Sequence, residues 1–295
     1  MTLLELIETS AERLTQAQLC FGHGTTNARD EAAWLVLWSL GLPLDTEFVG
    51  PDSQELRPIH VAEAEACATL IEARIVSRKP AAYLTSEAWL QGVCFYVDER
   101  VIVPRSLIAE CLVDGALDYW LSAATHDVLD LCTGNGSLAV IAAMTYPDTQ
   151  VDAADISADA LVVARINVDR HHLGERITLM ESDGLQQLHT TYDLILCNPP
   201  YVNADSMAAL PPEYRAEPAI ALDGNQAGGA DGMDFVRSLL QDAPRVMNPG
   251  AVMVLEIGNE RHYFETAFPT LQAIWLDTSA GEDQVLLLTR EALLA

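Results

Sequence analysis

From residue 127 onward, short apolar runs alternate with helical segments, and this alternation constrains the fold more than any other feature of the chain. Residues 128–131, 151–155, 177–180, 194–197, 251–257, 273–276 and 285–289 read as strands, and helical patterns begin at Ser137 and Ala158. Runs this short and this apolar, separated by helices, imply a mostly parallel sheet covered on both faces. The last two runs lie close together in sequence, so they are expected to pair antiparallel at the sheet edge.

The run ending at Cys197 is followed at once by Asn198-Pro199-Pro200-Tyr201. Two prolines stop a strand abruptly, so this tetrapeptide is expected at the carboxyl end of a buried strand. Open α/β sheets bind their ligands at that end.

The 295 residues suffice for one large domain with a smaller attachment. A formal net charge of -27 argues against sequence-independent nucleic-acid binding, which needs clustered Lys and Arg, and favours a basic partner. The six cysteines have no Cys-x-x-Cys pairing and read as small apolar core residues in a reducing compartment; no metal is expected. The amino terminus reads as an amphipathic helix and not a signal peptide, and no apolar run reaches membrane-spanning length. A soluble, cytoplasmic protein is expected.

Residues 3–20, 28–42 and 61–78 repeat apolar residues at helical spacing, the last stopped by Lys79-Pro80. A helical amino-terminal domain over 1–85 is therefore expected. Residues 89–95 and 101–103 look strand-like about Asp98-Glu99-Arg100, predicting a linking hairpin over 86–106 before the large domain, 107–295.

Between the strand at 128–131 and its helix lie Cys132, Thr133, Gly134, Asn135 and Gly136. The glycines permit a tight turn with positive φ and close approach of a ligand, while the helix start is expected to offer free N–H groups. Asp155 ends the next strand, where a carboxylate can accept two ribose hydroxyls, so a nucleoside-containing cofactor follows. Gly134, Gly136 and Ala139 also satisfy the dinucleotide fingerprint, which leaves a nicotinamide cofactor open at this point. Asp183, just past the third strand, shifts the balance, because an acid there can accept the exocyclic amine of adenine, as in S-adenosylmethionine sites.

With a methyl sulfonium cofactor and a carboxamide acceptor, the difficulty is the acceptor nitrogen, whose lone pair is delocalised into its carbonyl. The Asn198 side-chain carbonyl and the Pro199 main-chain carbonyl can accept the two N–H bonds of an NH₂ group, fix its plane and enrich the nitrogen. Pro200 stiffens the loop, and Tyr201 is placed to stack on the flat group. No dedicated base is needed, since the proton of a methylated amide leaves to water. His171 and His172, near a helix end, are expected in solvent.

At these residues the chain resembles class I S-adenosylmethionine-dependent methyltransferases of the protein-(glutamine-N5) type. Phe21 to Thr25 (FGHGT), Pro80 to Thr85 (PAAYLT), Glu87 to Trp89 and Phe95 to Ser106 (FYVDERVIVPRS) look like the branch that modifies ribosomal protein uL3. The resemblance implies a Rossmann-like seven-stranded sheet, S-adenosyl-L-methionine as cofactor with S-adenosyl-L-homocysteine as product, and free or nascent uL3 as partner. It places Cys132, Thr133, Gly134, Asn135, Gly136, Asp155, Asp183 and Asn198 at cofactor-contacting positions. Asn198, Pro199, Pro200 and Tyr201 match the clamp on the substrate amide. Pro104-Arg105 and residues 212–218 resemble loops beside the active site, where Arg105 either pairs with a carboxylate or orients the substrate backbone. Leu107, where this branch often has proline, and Asp277 to Ala280 depart from the pattern without touching these motifs. The sister branch acting on class 1 release factors is the alternative within the chemistry. Outside it stand a nicotinamide-dependent oxidoreductase and a silent assembly factor that holds uL3.

Overall fold

The computed structural model describes residues 1–50 and 52–295, which divide into two compact units. The first comprises Met1–Ala88 with Leu210–Ala216, and the second Trp89–Ala209 with Glu217–Ala295. A chain excursion from the second unit thus completes the first.

In the first unit, α1 (Leu3–Gln16) starts at a capping box, in which the Thr2 hydroxyl accepts the Glu5 N–H and the Glu5 carboxylate accepts the Thr2 N–H. It packs with α2 (Ala28–Ser39) and α3 (Val61–Ser77), and the short α4 (Ala81–Thr85) packs on α2 and α3. Their core contains ions as well as apolar side chains. Arg74 is fully buried, donating to Glu31 at 2.8 Å and to the Cys20 carbonyl at 3.2 Å. Glu213, from the excursion, is also fully buried; it accepts the Cys20 N–H at 3.1 Å and pairs with Arg78 at 2.8 Å. Burial raises the Glu31 carboxyl, and Arg74 opposes that rise.

A two-stranded hairpin follows, β1 (Ala88–Leu90) with β2 (Val93–Phe95). This corrects the expected hairpin about Asp98-Glu99-Arg100. The turn is at Gln91-Gly92, both at positive φ, which matches strand twist in a two-residue loop. Asp98 instead accepts bonds from the Arg100 main chain and guanidinium, closing a local turn, and residues 101–103 form no strand: Val101 lies in a bend.

The second unit continues with α5 (Ile108–Val113), β3 (Asp127–Leu131), α6 (Ser137–Thr145), β4 (Gln150–Asp155), α7 (Ala158–Arg170), β5 (Ile177–Glu181) and β6 (Tyr192–Cys197). Then come α8 (Ala204–Ala209), α9 (Asp234–Asp242), β7 (Met247–Glu256), α10 (Arg261–Ala267), β8 (Ile274–Thr278), β9 (Gly281–Thr289) and α11 (Arg290–Leu294). The seven-stranded sheet has the order β5-β4-β3-β6-β7-β9-β8. Its first five strands are parallel, and β9 runs antiparallel between β7 and the edge strand β8. The final pair is thus antiparallel, as expected, with β9 inside the sheet and only β8 at its edge.

Side chains alternate between two apolar clusters, one on each face. Val128, Leu194 and Leu196 join α5 and α6 on one side, while Leu129, Ile195 and Met253 join α9 on the other. Each such side chain, fully buried, contributes about 1.5–3 kcal/mol, so the central strands β3 and β6 are the least movable part of the unit. The chain order reverses at β3, with β4 and β5 to one side and β6 and β7 to the other, which opens a crevice at the carboxyl ends there. Among the described residues no helix is long and apolar enough to cross a membrane.

Candidate active site

Parallel register brings four predicted positions to one rim. Leu131 is opposite both Ala154 and Cys197, and Asp155 is opposite Glu181. The residues at or just past each strand end, namely the Cys132-Gly136 turn, Asp155, Asp183 and Asn198, therefore sit side by side. They border one cleft, whose empty space, counted together with the solvent open to it, is about 740 Å³. Cys132, Gly134, Asp155, Asp183, Asn198 and Pro200 line it.

The turn is built around a carboxylate that the sequence pattern did not single out. Asp130 is completely buried and accepts from the Thr133 hydroxyl at 2.5 Å and the Ala139 N–H at 2.9 Å. Burial pushes its carboxyl up to about 7, against the lowering effect of those bonds. Thr133 and Asn135 turn inward and shape the loop without reaching the cleft: Asn135 Oδ1 accepts the Ser137 N–H, and its main-chain oxygen accepts from the fully buried Asn167. Gly136 caps α6 at φ +80°, and a Cβ there would come within 3.2 Å of Ala164 on α7. Cys132 also takes a positive φ, and the hydrogen bond to Cys197 first, then desolvation, raises its partly buried thiol well above the usual range.

Contrary to expectation, the start of α6 does not offer its donors freely, because the Ser137 and Ala139 N–H groups are consumed by Asn135 and Asp130. A diphosphate would meet a buried acid where it needs N–H groups, which argues against the dinucleotide alternative. Asp155 accepts the Gly134 N–H at 2.9 Å and the Ser157 N–H at 2.9 Å. Burial raises its carboxyl while these backbone bonds lower it. Asp183 is exposed at the cleft wall, with Gln186 donating to its Oδ2 at 3.0 Å. Ile156 and Phe235 add apolar wall beside it, so carboxylates and flat apolar surface occur together, as an adenosine requires. Phe235 comes from α9, distant in sequence, and no local signal identified it.

Two predicted side chains have other places. Tyr201 does not line the cleft; its ring packs on the apolar cluster that includes Ile257, beside Gly258. Burial first, then the negative Glu256, raises its hydroxyl above the usual phenol range. It buttresses the loop against that cluster. Arg105 forms the ion pair of its two expected roles: its two terminal nitrogens donate to Glu217 at 2.7 and 2.8 Å. Pro199 is buried between Asn198 and Pro200. Of the two histidines expected in solvent, His172 is exposed, whereas His171 is partly buried with Nε2 2.9 Å from the Cys94 carbonyl.

Comparison with known proteins agrees with this geometry. Residues 113–210 match the methyltransferase small domain family. The ribosomal protein uL3 glutamine methyltransferase of Bordetella pertussis is 51% identical over 295 residues, covering 99% of this chain and 96% of that one. Its counterpart from Burkholderia pseudomallei is 50% identical, covering 97% and 94%. Among solved structures, the hMettl16 catalytic domain in complex with the MAT2A 3′UTR hairpin 6 superimposes with a TM-score of 0.51 at 13% identity, over 78% of this chain and 81% of that one, a likeness of fold alone. By full-length identity to these relatives, the chain belongs to the family of ribosomal protein uL3 glutamine methyltransferases.

Proposed function

We propose that this protein methylates the side-chain amide nitrogen of a glutamine in ribosomal protein uL3, with S-adenosyl-L-methionine as cofactor. The observation that carries the reading is that Asn198 and Pro200 share one cleft with Gly134, Asp155 and Asp183. When bound, the cofactor supplies an electron-poor methyl carbon on a cationic sulfur. Gly134 and Cys132 would lie along it, Asp155 would accept the ribose hydroxyls, and Asp183 the adenine amine. Ile156 and Phe235 would enclose the base.

Asn198 Oδ1 and the Pro199 carbonyl accept the two N–H bonds of the glutamine amide and hold its plane. The nitrogen becomes more electron-rich, and its approach is fixed. Holding reactants in this way can account for about 7–11 kcal/mol of a barrier. The surplus proton leaves to water, so no side chain is assigned as base.

The amino-terminal helices, residues 1–85, are assigned to substrate recognition. The substrate is free or nascent uL3, because a chain of net charge -27 attracts a basic protein and is repelled once RNA coats it. Direct nucleic-acid binding is not part of this function, and the reaction takes place in the cytoplasm, where uL3 is made. The test is incubation with labelled S-adenosylmethionine and purified uL3 or release factor side by side, followed by mass spectrometry. A singly methylated glutamine peptide from uL3 supports the reading; label only on release factor refutes it.

A further inference from the structure

The loop at residues 222–232 runs against the backbone that follows Asn198 and is hydrogen-bonded to it at Val202 and Ala204. The Val202 N–H donates to the Leu222 carbonyl at 2.9 Å, and the Ala204 N–H donates to the Ala230 carbonyl at 3.0 Å. In return, the Val202 carbonyl accepts from the Gly224 N–H at 3.2 Å and from Asn225 Nδ2 at 3.0 Å. Asn225 Oδ1 accepts the Gly232 N–H at 2.8 Å, and its second amide hydrogen goes to Asp223 at 2.8 Å. Every hydrogen of this side-chain amide is engaged, with donors and acceptor both required. Aspartate would lose both donors, and alanine all three bonds.

Gly232 makes the approach closer still. It sits at φ +76°, and an added Cβ would lie 2.1 Å from the Tyr201 carbonyl oxygen and 2.9 Å from its carbon. Backbone cannot yield to that as a flexible side chain would. Gly228, in the same loop at φ +93°, would meet nothing within 4 Å. The same left-handed backbone thus occurs twice in one loop, but only Gly232 touches the acceptor loop.

We propose that Asn225 and Gly232 are positioning residues for methyl transfer, clamping residues 198–201 so that the two amide acceptors keep their mutual geometry. Neither lines the cleft, so they act through the loop and not on the cofactor. This rests on the reading that Asn198 and Pro199 grip the substrate amide. A shift of the loop by about 1 Å is enough to lower turnover by roughly 100-fold.

The experiment compares Gly232→Ala, Asn225→Ala and Gly228→Ala, measuring kcat on uL3, thermal melting and calorimetric affinity for S-adenosylhomocysteine. The expected result is a fall in kcat of about 100-fold for the first two, with affinity and the kcat of Gly228→Ala each within about threefold of the parent. Should Gly232→Ala fail to fold, Asn225→Ala decides alone. Undiminished turnover in Asn225→Ala overturns the proposal, as does a loss of product affinity that matches the loss of turnover. Asn198→Ala serves as reference: if it alone loses turnover, only the clamp is wrong, and if it too retains turnover, the amide-grip reading itself fails.

Discussion

The Glu217 carboxylate accepts both terminal N–H groups of Arg105 in parallel, at 2.7 and 2.8 Å, and takes the Val103 N–H at 2.9 Å as well. Glu217 is fully buried in its side chain while Arg105 is 28% exposed, so the pair is half desolvated. Pro218, which follows, lines the cleft. Removing the guanidinium takes the bidentate cation away from a buried carboxylate. Arg105→Ala is expected to cost about 2–3 kcal/mol, below the fully buried range because water reaches the arginine, and to weaken S-adenosylhomocysteine binding. Arg105→Lys should recover little, since an ammonium cannot donate in parallel. Urea midpoints and calorimetry check this, and a lysine variant equal to the parent would contradict it.

Asn198→Ala is expected to lower kcat by about 100-fold or more, because one of two acceptors on the amide is lost. Cofactor affinity and melting temperature should change little, since the turn and Asp155 are held by bonds that do not involve Asn198. Single-turnover assays alongside calorimetry separate the two effects. An equal collapse of binding would place Asn198 on the cofactor instead.

Asp130 makes stability depend on pH with an unusual sign. Its carboxyl is raised to about 7 in the folded chain from an ordinary 3.8, so between those values the folded state holds a proton that the unfolded state releases. The stability from this group is complete below the ordinary value, declines by roughly 1.4 kcal/mol per pH unit, and levels off above about 7. Asp130→Asn cannot ionise. Its stability relative to the parent should therefore rise from pH 5 to pH 8 in urea titrations, and a flat difference would exclude the assignment.

Long-range attraction predicts that added salt slows methylation of isolated uL3, with isolated uL3 modified faster than the intact large subunit. The net charge of -27 supplies the field. Equal initial rates on both substrates, insensitive to salt, would remove the case for early modification.

What could be read from the chain before folding was whatever depends on neighbours in sequence. The apolar runs at 128–131 and 194–197 became β3 and β6 because their own composition demands burial, and Asn198 followed Cys197 to the rim by covalent necessity. Asp130 was hidden inside such a run, an acid among leucines whose purpose appears only when Thr133 and Ala139 fold back on it. The direction of Tyr201 was undecidable locally, since Gly258, far along the chain, leaves the space its ring fills. The hairpin was misplaced because Gln91, with no glycine's licence, adopts positive φ beside Gly92.

The membership of Leu210–Ala216 in the first unit bears on how the protein can be dissected. An expressed fragment ending at residue 88 would lack the Glu213 carboxylate that Arg78 and the Cys20 amide both use. The resulting peptide would leave the Arg78 guanidinium without that carboxylate partner. Swapping this helical module between relatives would accordingly require transplanting two separate stretches of gene.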